Sequence, residues 1–202
     1  MEQRGKAPVR GGWQSAEQAQ IAATRQPDPM ALNTGIASAG LRPLDIDVDD
    51  PARVAELRSL AENNLGWTIM VRYRPNSARI LMVYRAAEGE PFKRTVKGVH
   101  GKVEILGRGQ QFAAHGMHVS GVALAWEIGG PDAFHRATLP AVTEQQITEF
   151  CKAALVILGG ALVDGAEGGT GERATSRHGL LGSIEDVRAV TVFPSPPCET
   201  PC

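Results

Sequence analysis

Residues 41–85 read "LRPLDIDVDDPARVAELRSLAENNLGWTIMVRYRPNSARILMVYR". The middle of this stretch is a helix by pattern, because Val54, Leu57, Leu60, Ala61 and Leu65 recur at three- and four-residue spacing. Pro51 suits a first turn, where its missing N–H costs nothing, and Gly66 suits the stop. Before the helix, Leu44, Ile46 and Val48 alternate with Asp45 and Asp47, the period of a strand with one apolar face. After it, "WTIMVRYR" and "RILMVYR" are rich in β-formers and are separated by the turn signal "PNSA", which reads as a hairpin. A strand, a helix and a hairpin, followed by more strands and one more helix, argue an α+β fold. Its mixed or antiparallel sheet is flanked by helices, unlike a doubly wound α/β sheet.

Downstream, "GKVEILG", "QQFAAHG" and "VALAWEI" are shorter strand candidates. "VTEQQITEFCKAALVILGGALV" is a helix: Thr143 with Gln146 forms a capping box, and Ile147, Phe150, Cys151, Ala154, Leu155 and Leu158 share a face. Residues 1–32 are polar, with one short helix in "SAEQAQIAAT" capped by Ser15 with Gln18 reaching back. From Asp164 onward, "DGAEGGTGERATSRHG" is Gly-rich linker and "FPSPPCETPC" an irregular end. The expected division is one domain over residues 1–163 and a linker and tail over 164–202.

The 202 residues are 43% hydrophobic and 21% charged, enough for a sizeable core; at 5% aromatic content, aliphatic side chains must fill it. No apolar run reaches membrane-spanning length, and "MEQRGKAPVRGGWQ" lacks the apolar segment of a signal peptide. Cys151 falls in the apolar stripe of the second helix and reads as a buried small hydrophobe, while Cys198 and Cys202 lie in the Pro-rich end. No disulfide framework is indicated, and a cytoplasmic location is expected. The net charge of −1 gives the whole molecule no pull on nucleic acid, so any such binding must be local.

Two features point to such a site. Asp45 and Asp47, two apart on a strand, point to the same side. Carboxylates that close repel unless a cation lies between them, and hard divalent cations take such oxygen ligands. An exposed strand end explains the same spacing, with Asp49 and Asp50 as charges favouring the helix entry. Glu104 is a further acid on an apolar strand, placed either at a sheet edge or for a purpose. Between Trp67 and Arg108, nine Lys/Arg stand against three acids, a local balance of +6. A solvated face gives such a run; so does a cationic trough beside a metal-binding acid cluster, which nucleotidyl transfer needs. The glycine-rich "GAEGGTGERATS" is not a Walker A loop, no CxxC pair supports zinc, and there is no G-x-S-x-G elbow.

Taken in order, "GKAPVRGGW", "NTGIASAG", "LDIDVDD", "RPNSARILMVYR" and "VEILGRGQQFAAHGMHVSGVALAW" resemble the bifunctional DNA primase/polymerase N-terminal domain of the archaeo-eukaryotic primase superfamily, phage and prophage type. The likeness covers about residues 4–160. It implies an RRM-like catalytic core and nucleotidyl transfer from nucleoside triphosphates on a single-stranded DNA template. The family's Asp-x-Asp motif falls on Asp45 and Asp47 and its later acid on Glu104; these would ligate two Mg²⁺ or Mn²⁺ ions. The position where many members carry a His falls on Arg79 or Ile80; the phage-type branch often has a basic residue there, so the resemblance gives Arg79 the phosphate role. Lys93, His118 and Arg72, with Lys6 in "GK-x-P" and Asn33 in "N-x-G-I", complete the implied nucleotide- and DNA-binding set. Relatives of this kind usually continue into a helicase domain, which implies a helicase partner.

Two other readings stand beside this one. A non-catalytic remnant would keep the basic trough for nucleic-acid binding and lack turnover. A metal-dependent nuclease or replication initiator would use a similar acid cluster. Against the initiator, Tyr73 and Tyr84 read as strand residues with no His pair beside them.

Overall fold

The computed structural model describes residues 33–118, 120–160 and 189–190. Lys6, the helix expected around Ser15, the Gly-rich linker and the two C-terminal cysteines lie outside the described residues. The elements run β1 (Asn33–Ala37), β2 (Leu41–Asp47), α1 (Pro51–Leu65), β3 (Val71–Arg74), β4 (Ser77–Ala86), β5 (Arg94–Gly98), β6 (Gly101–Ile105), β7 (Gln111–Gly116) and β8 (Ala125–Trp126). A 3-10 turn (Arg136–Thr138), β9 (Ala141–Val142), α2 (Glu144–Ile157) and β10 (Ala189–Val190) follow. The fold is α+β, as expected. β10 is a two-residue strand inside the segment read as linker and tail, and it pairs parallel with β1.

The larger sheet has seven strands, ordered β5-β6-β2-β4-β3-β8, with β9 joined to β4. All its pairings are antiparallel except β4 with β9. The smaller sheet is β10-β1-β7. The larger sheet is covered on both faces, and strand alternation decides which side chain meets which cover. On one face Leu44, Ile46, Met82, Tyr84, Val103 and Ile105 pack against Val54, Leu57, Ala61 and Leu65 of α1 and Ile147, Phe150, Cys151 and Ala154 of α2. On the other, Leu41, Leu81, Val83 and Leu106 meet Ile36, Phe112 and Ala114 of the smaller sheet.

The helix ends follow local chemistry. The Asp50 side chain accepts from the Ala52 amide at the start of α1, and Gly66 closes it at φ +95°. The Thr143–Gln146 capping box starts α2. Cys151 is buried, as its position in the stripe predicted. The β3–β4 hairpin turns over Pro75 and Asn76. β5 has too little apolar patterning to predict a strand, yet it pairs with β6 along its whole length from Arg94 opposite Ile105 to Gly98 opposite Gly101. Glu104 is therefore on an inner strand, not at a sheet edge.

Candidate active site

On β2 the face toward the smaller sheet begins with Leu41, which is buried, and ends with Asp45 and Asp47, which are only half-buried. The cover stops where the polar residues start, and the sheet opens into a trough. Register fills its floor. Asp45 lies opposite Glu104 on β6 and opposite Leu81 on β4; Arg72 follows beyond Leu81 on β3. One step along the same face, Asp47 lies opposite Lys102, and Lys102 opposite Lys97 on β5.

Two acids directly across an antiparallel pair destabilise a sheet unless cations offset them. Here they do. Lys93 Nζ lies 2.5 Å from Glu104 Oε1. Lys102 Nζ lies 3.0 Å from Glu104 Oε2 and 3.5 Å from Asp47 Oδ2. Arg79 pairs through Nη1 with Asp47 and through Nε and Nη2 with Asp49, the latter at 2.8 and 2.9 Å. Burial pushes the Glu104 carboxyl up, but its hydrogen bonds from Lys93 and Lys102 outweigh that and hold it below its ordinary value. The hydrogen bond to Glu104 raises the Lys102 ammonium, and the bond from Arg79 lowers Asp49.

The Arg72 guanidinium is enclosed near Asp45 and donates to the Ala113 carbonyl, and among the described residues its Nε has no hydrogen-bond partner. Burial lowers its pKa, opposed by the Asp45 charge. Arg74 Nη1 lies 2.6 Å from Nδ1 and 2.8 Å from Nε2 of His118, whose Nδ1 also accepts the Ser120 amide at 3.2 Å. Two cavities flank the acids. One, of about 370 Å³, takes in Asp45, Asp47, Glu104, Arg79, Lys102 and His118. The other, of about 220 Å³, takes in Asp45, Glu104, Arg72, Lys93 and Phe112.

The trough therefore brings together Asp45, Asp47, Glu104, Arg72, Arg79, Lys93 and His118. Asn33 is buried at the start of β1 opposite Gly116 and lines neither cavity. Lys102, Arg74 and Asp49 join the trough residues, although the sequence singles out none of the three as a site residue. The signal for Lys102 was present: it stands two residues before Glu104 on a strand and so must share its face. Asp49, read only as a helix-entry charge, instead holds the fork of Arg79.

Among the described residues, no group of three or more His, Cys, Asp or Glu side chains is arranged to hold a metal ion as the side chains stand. The donor chemistry nonetheless fits a hard divalent cation. Asp45, Asp47 and Glu104 present carboxylates on one face of adjacent strands, and the Lys102 ammonium already stands as a positive charge between two of them. Mg²⁺ in particular is usually held by one or two carboxylates plus substrate phosphates, so a partial set is what a protein alone should offer.

A model of the family "Bifunctional DNA primase/polymerase, N-terminal" matches residues 1–141 of the chain. No curated protein and no solved structure matches it.

Proposed function

Because the chain belongs to the bifunctional DNA primase/polymerase N-terminal family, we propose that it is a template-directed, divalent-metal-dependent nucleotidyltransferase. It joins nucleotides from nucleoside triphosphates along a single-stranded DNA template. The observation that carries this reading is the direct pairing of Asp45 with Glu104 across β2 and β6, with Asp47 one step along the same face and cations around all three.

Asp45, Asp47 and Glu104 would hold Mg²⁺ or Mn²⁺, which supplies Lewis-acid activation of a 3′-hydroxyl and neutralises the triphosphate. The chain's own residues do the rest. Arg79, freed from Asp47 and still held through Nε and Nη2 by Asp49, presents its Nη1 edge to phosphate oxygens as a charge-assisted donor. Arg72 fixes a positive charge behind Asp45 in an enclosed place, where its field is least screened. His118, held by Arg74 and the Ser120 amide, and Lys93, beside Glu104, close the two ends of the trough over the phosphates. The 3′-hydroxyl oxygen, its proton passing to solvent, bonds to the α-phosphorus as the bond from that phosphorus to the α–β bridging oxygen breaks, and pyrophosphate leaves. The ordered motifs support a setting in phage- or plasmid-type DNA replication in the cytoplasm, with helicase activity supplied by a partner.

The test is synthesis or extension of a primer on single-stranded DNA with Mn²⁺ or Mg²⁺. Incorporation by the wild type that is lost in Asp45→Asn/Asp47→Asn supports the assignment. An inactive wild type, or an active double variant, would sink it. One observation favours a second reading, a nucleic-acid-binding protein without turnover: Asp47 and Glu104 are already neutralised by Arg79, Lys93 and Lys102. DNA binding that weakens steeply with salt, with no incorporation under any metal, would mark that case.

A further inference from the structure

Lys102 stands in the sheet between an acid and a like charge. Its backbone pairs with Asp47 on one side and with Lys97 on the other. Like charges directly opposite one another repel, so the Lys102 side chain gains by leaning away from Lys97 and toward the acids. It ends 3.0 Å from Glu104 and 3.5 Å from Asp47. A divalent cation on those two carboxylates would occupy the place of this ammonium, and both charges cannot stay there.

We propose that Lys102 is a functional residue of this site with two successive roles. Without metal it is the resident counter-ion of Asp47 and Glu104, keeping two like-charged carboxylates ordered on adjacent strands. With metal it is displaced, and its ammonium, next to Lys97 on the same face, binds the phosphates of the nucleoside triphosphate. Metal binding then creates part of the phosphate site, because the cation that neutralised the carboxylates is the one released to the ligand. Arg79 follows the same logic from the other side of Asp47, but Asp49 still holds it after Asp47 lets go. Among the described residues, Lys102 has no such second anchor apart from the two carboxylates. This inference rests on the metal-site reading above.

The experiment uses the full chain, Lys102→Met and Lys102→Arg, at low ionic strength. Mn²⁺ binding is followed by the electron paramagnetic resonance signal of the free ion, and stability by thermal melting. Lys102→Met binds Mn²⁺ several-fold tighter than the wild type, and Lys102→Arg does not. Without metal, Lys102→Met melts below the wild type, and saturating Mn²⁺ closes the gap. With Mn²⁺ saturating, a fluorescent non-hydrolysable nucleoside triphosphate binds Lys102→Met about tenfold more weakly, the loss of one charge-assisted contact. Equal Mn²⁺ affinities in wild type and Lys102→Met overturn the counter-ion role, and equal triphosphate affinities overturn the delivery role. If neither protein binds Mn²⁺, the metal site itself falls, and this inference falls with it.

Discussion

The guanidinium of Arg42, wholly buried on β2, meets the carboxylate of Glu144, the first residue of α2, at 2.8 Å. The same side chain donates to the carbonyls of Phe92 and Leu106 at 3.0 and 2.9 Å. Those carbonyls flank the trough: Phe92 precedes Lys93, and Leu106 lies two residues past Glu104. Replacing Arg42 by Met should cost about 3 kcal/mol, because buried acceptors lose their donor. Urea denaturation followed by circular dichroism checks this, as a lower midpoint with an unchanged slope.

Asp49 holds Arg79 by a two-point contact but is itself largely exposed. Asp49→Asn should leave the melting temperature unchanged and strengthen triphosphate binding about two- to threefold by freeing the fork. Arg79→Met should weaken binding about tenfold. Titration of both variants with the same fluorescent triphosphate tests the pair of outcomes together.

Glu104 sits below its ordinary value of 4.5. Its folded form is therefore the weaker proton binder, and its contribution to stability is complete above that value and disappears as pH falls through the lowered one. Lys102 lies above its ordinary value of 10.5, so its contribution is complete below 10.5 and disappears as pH rises through the raised value. Glu104→Gln should flatten the acid limb of the melting-temperature profile below about pH 4.5 and, by removing a partner of Lys102, part of the alkaline limb. An unchanged profile would show that these ion pairs do not contribute to stability.

Gly107 allows two segments to touch. A Cβ there would stand 2.2 Å from the Pro91 carbonyl oxygen and 2.7 Å from the Phe92 carbonyl carbon. Gly107→Ala should cost about 1–3 kcal/mol through forced backbone movement. Because the displaced segment carries Lys93, activity should fall further than the loss of folded protein explains. Comparing incorporation with the folded fraction at one temperature separates the two effects.

Much of this was legible in residues 41–85. The α1 stripe, the Gly66 stop and the β3–β4 hairpin follow from short-range chemistry, and so does the α2 capping box. The shared face of Asp45 and Asp47 follows from the two-residue period of a strand. Long-range pairing did not follow. Nothing local says that β6 lies beside β2, so the meeting of Asp45 with Glu104 needed the structure or a family likeness. Arg42 was missed for a related reason. An arginine among Leu41, Pro43 and Leu44 looks like a strand residue facing solvent, and only its remote partners, the Phe92 and Leu106 carbonyls and the Glu144 carboxylate, explain its burial. β5 was missed because its side chains are mostly polar and its stability comes from backbone pairing with β6.

The antiparallel register of β2 with β6 gives each side of the sheet a parity. On β2 the odd positions 45 and 47 belong to the trough and the even positions 44 and 46 to the helix-facing core; on β6 the assignment is reversed, with 102 and 104 in the trough and 103 and 105 in the core. An insertion or deletion of one residue within either strand would exchange the two sets, driving carboxylates into the apolar layer and valine or isoleucine into the trough. Function and core would then be lost in a single event. The same change in an exposed turn, such as the one at Gly89, where a side chain would meet nothing within 4 Å, leaves both parities intact. Length variation in this chain should therefore be tolerated at its turns and excluded from the strands that carry the acids.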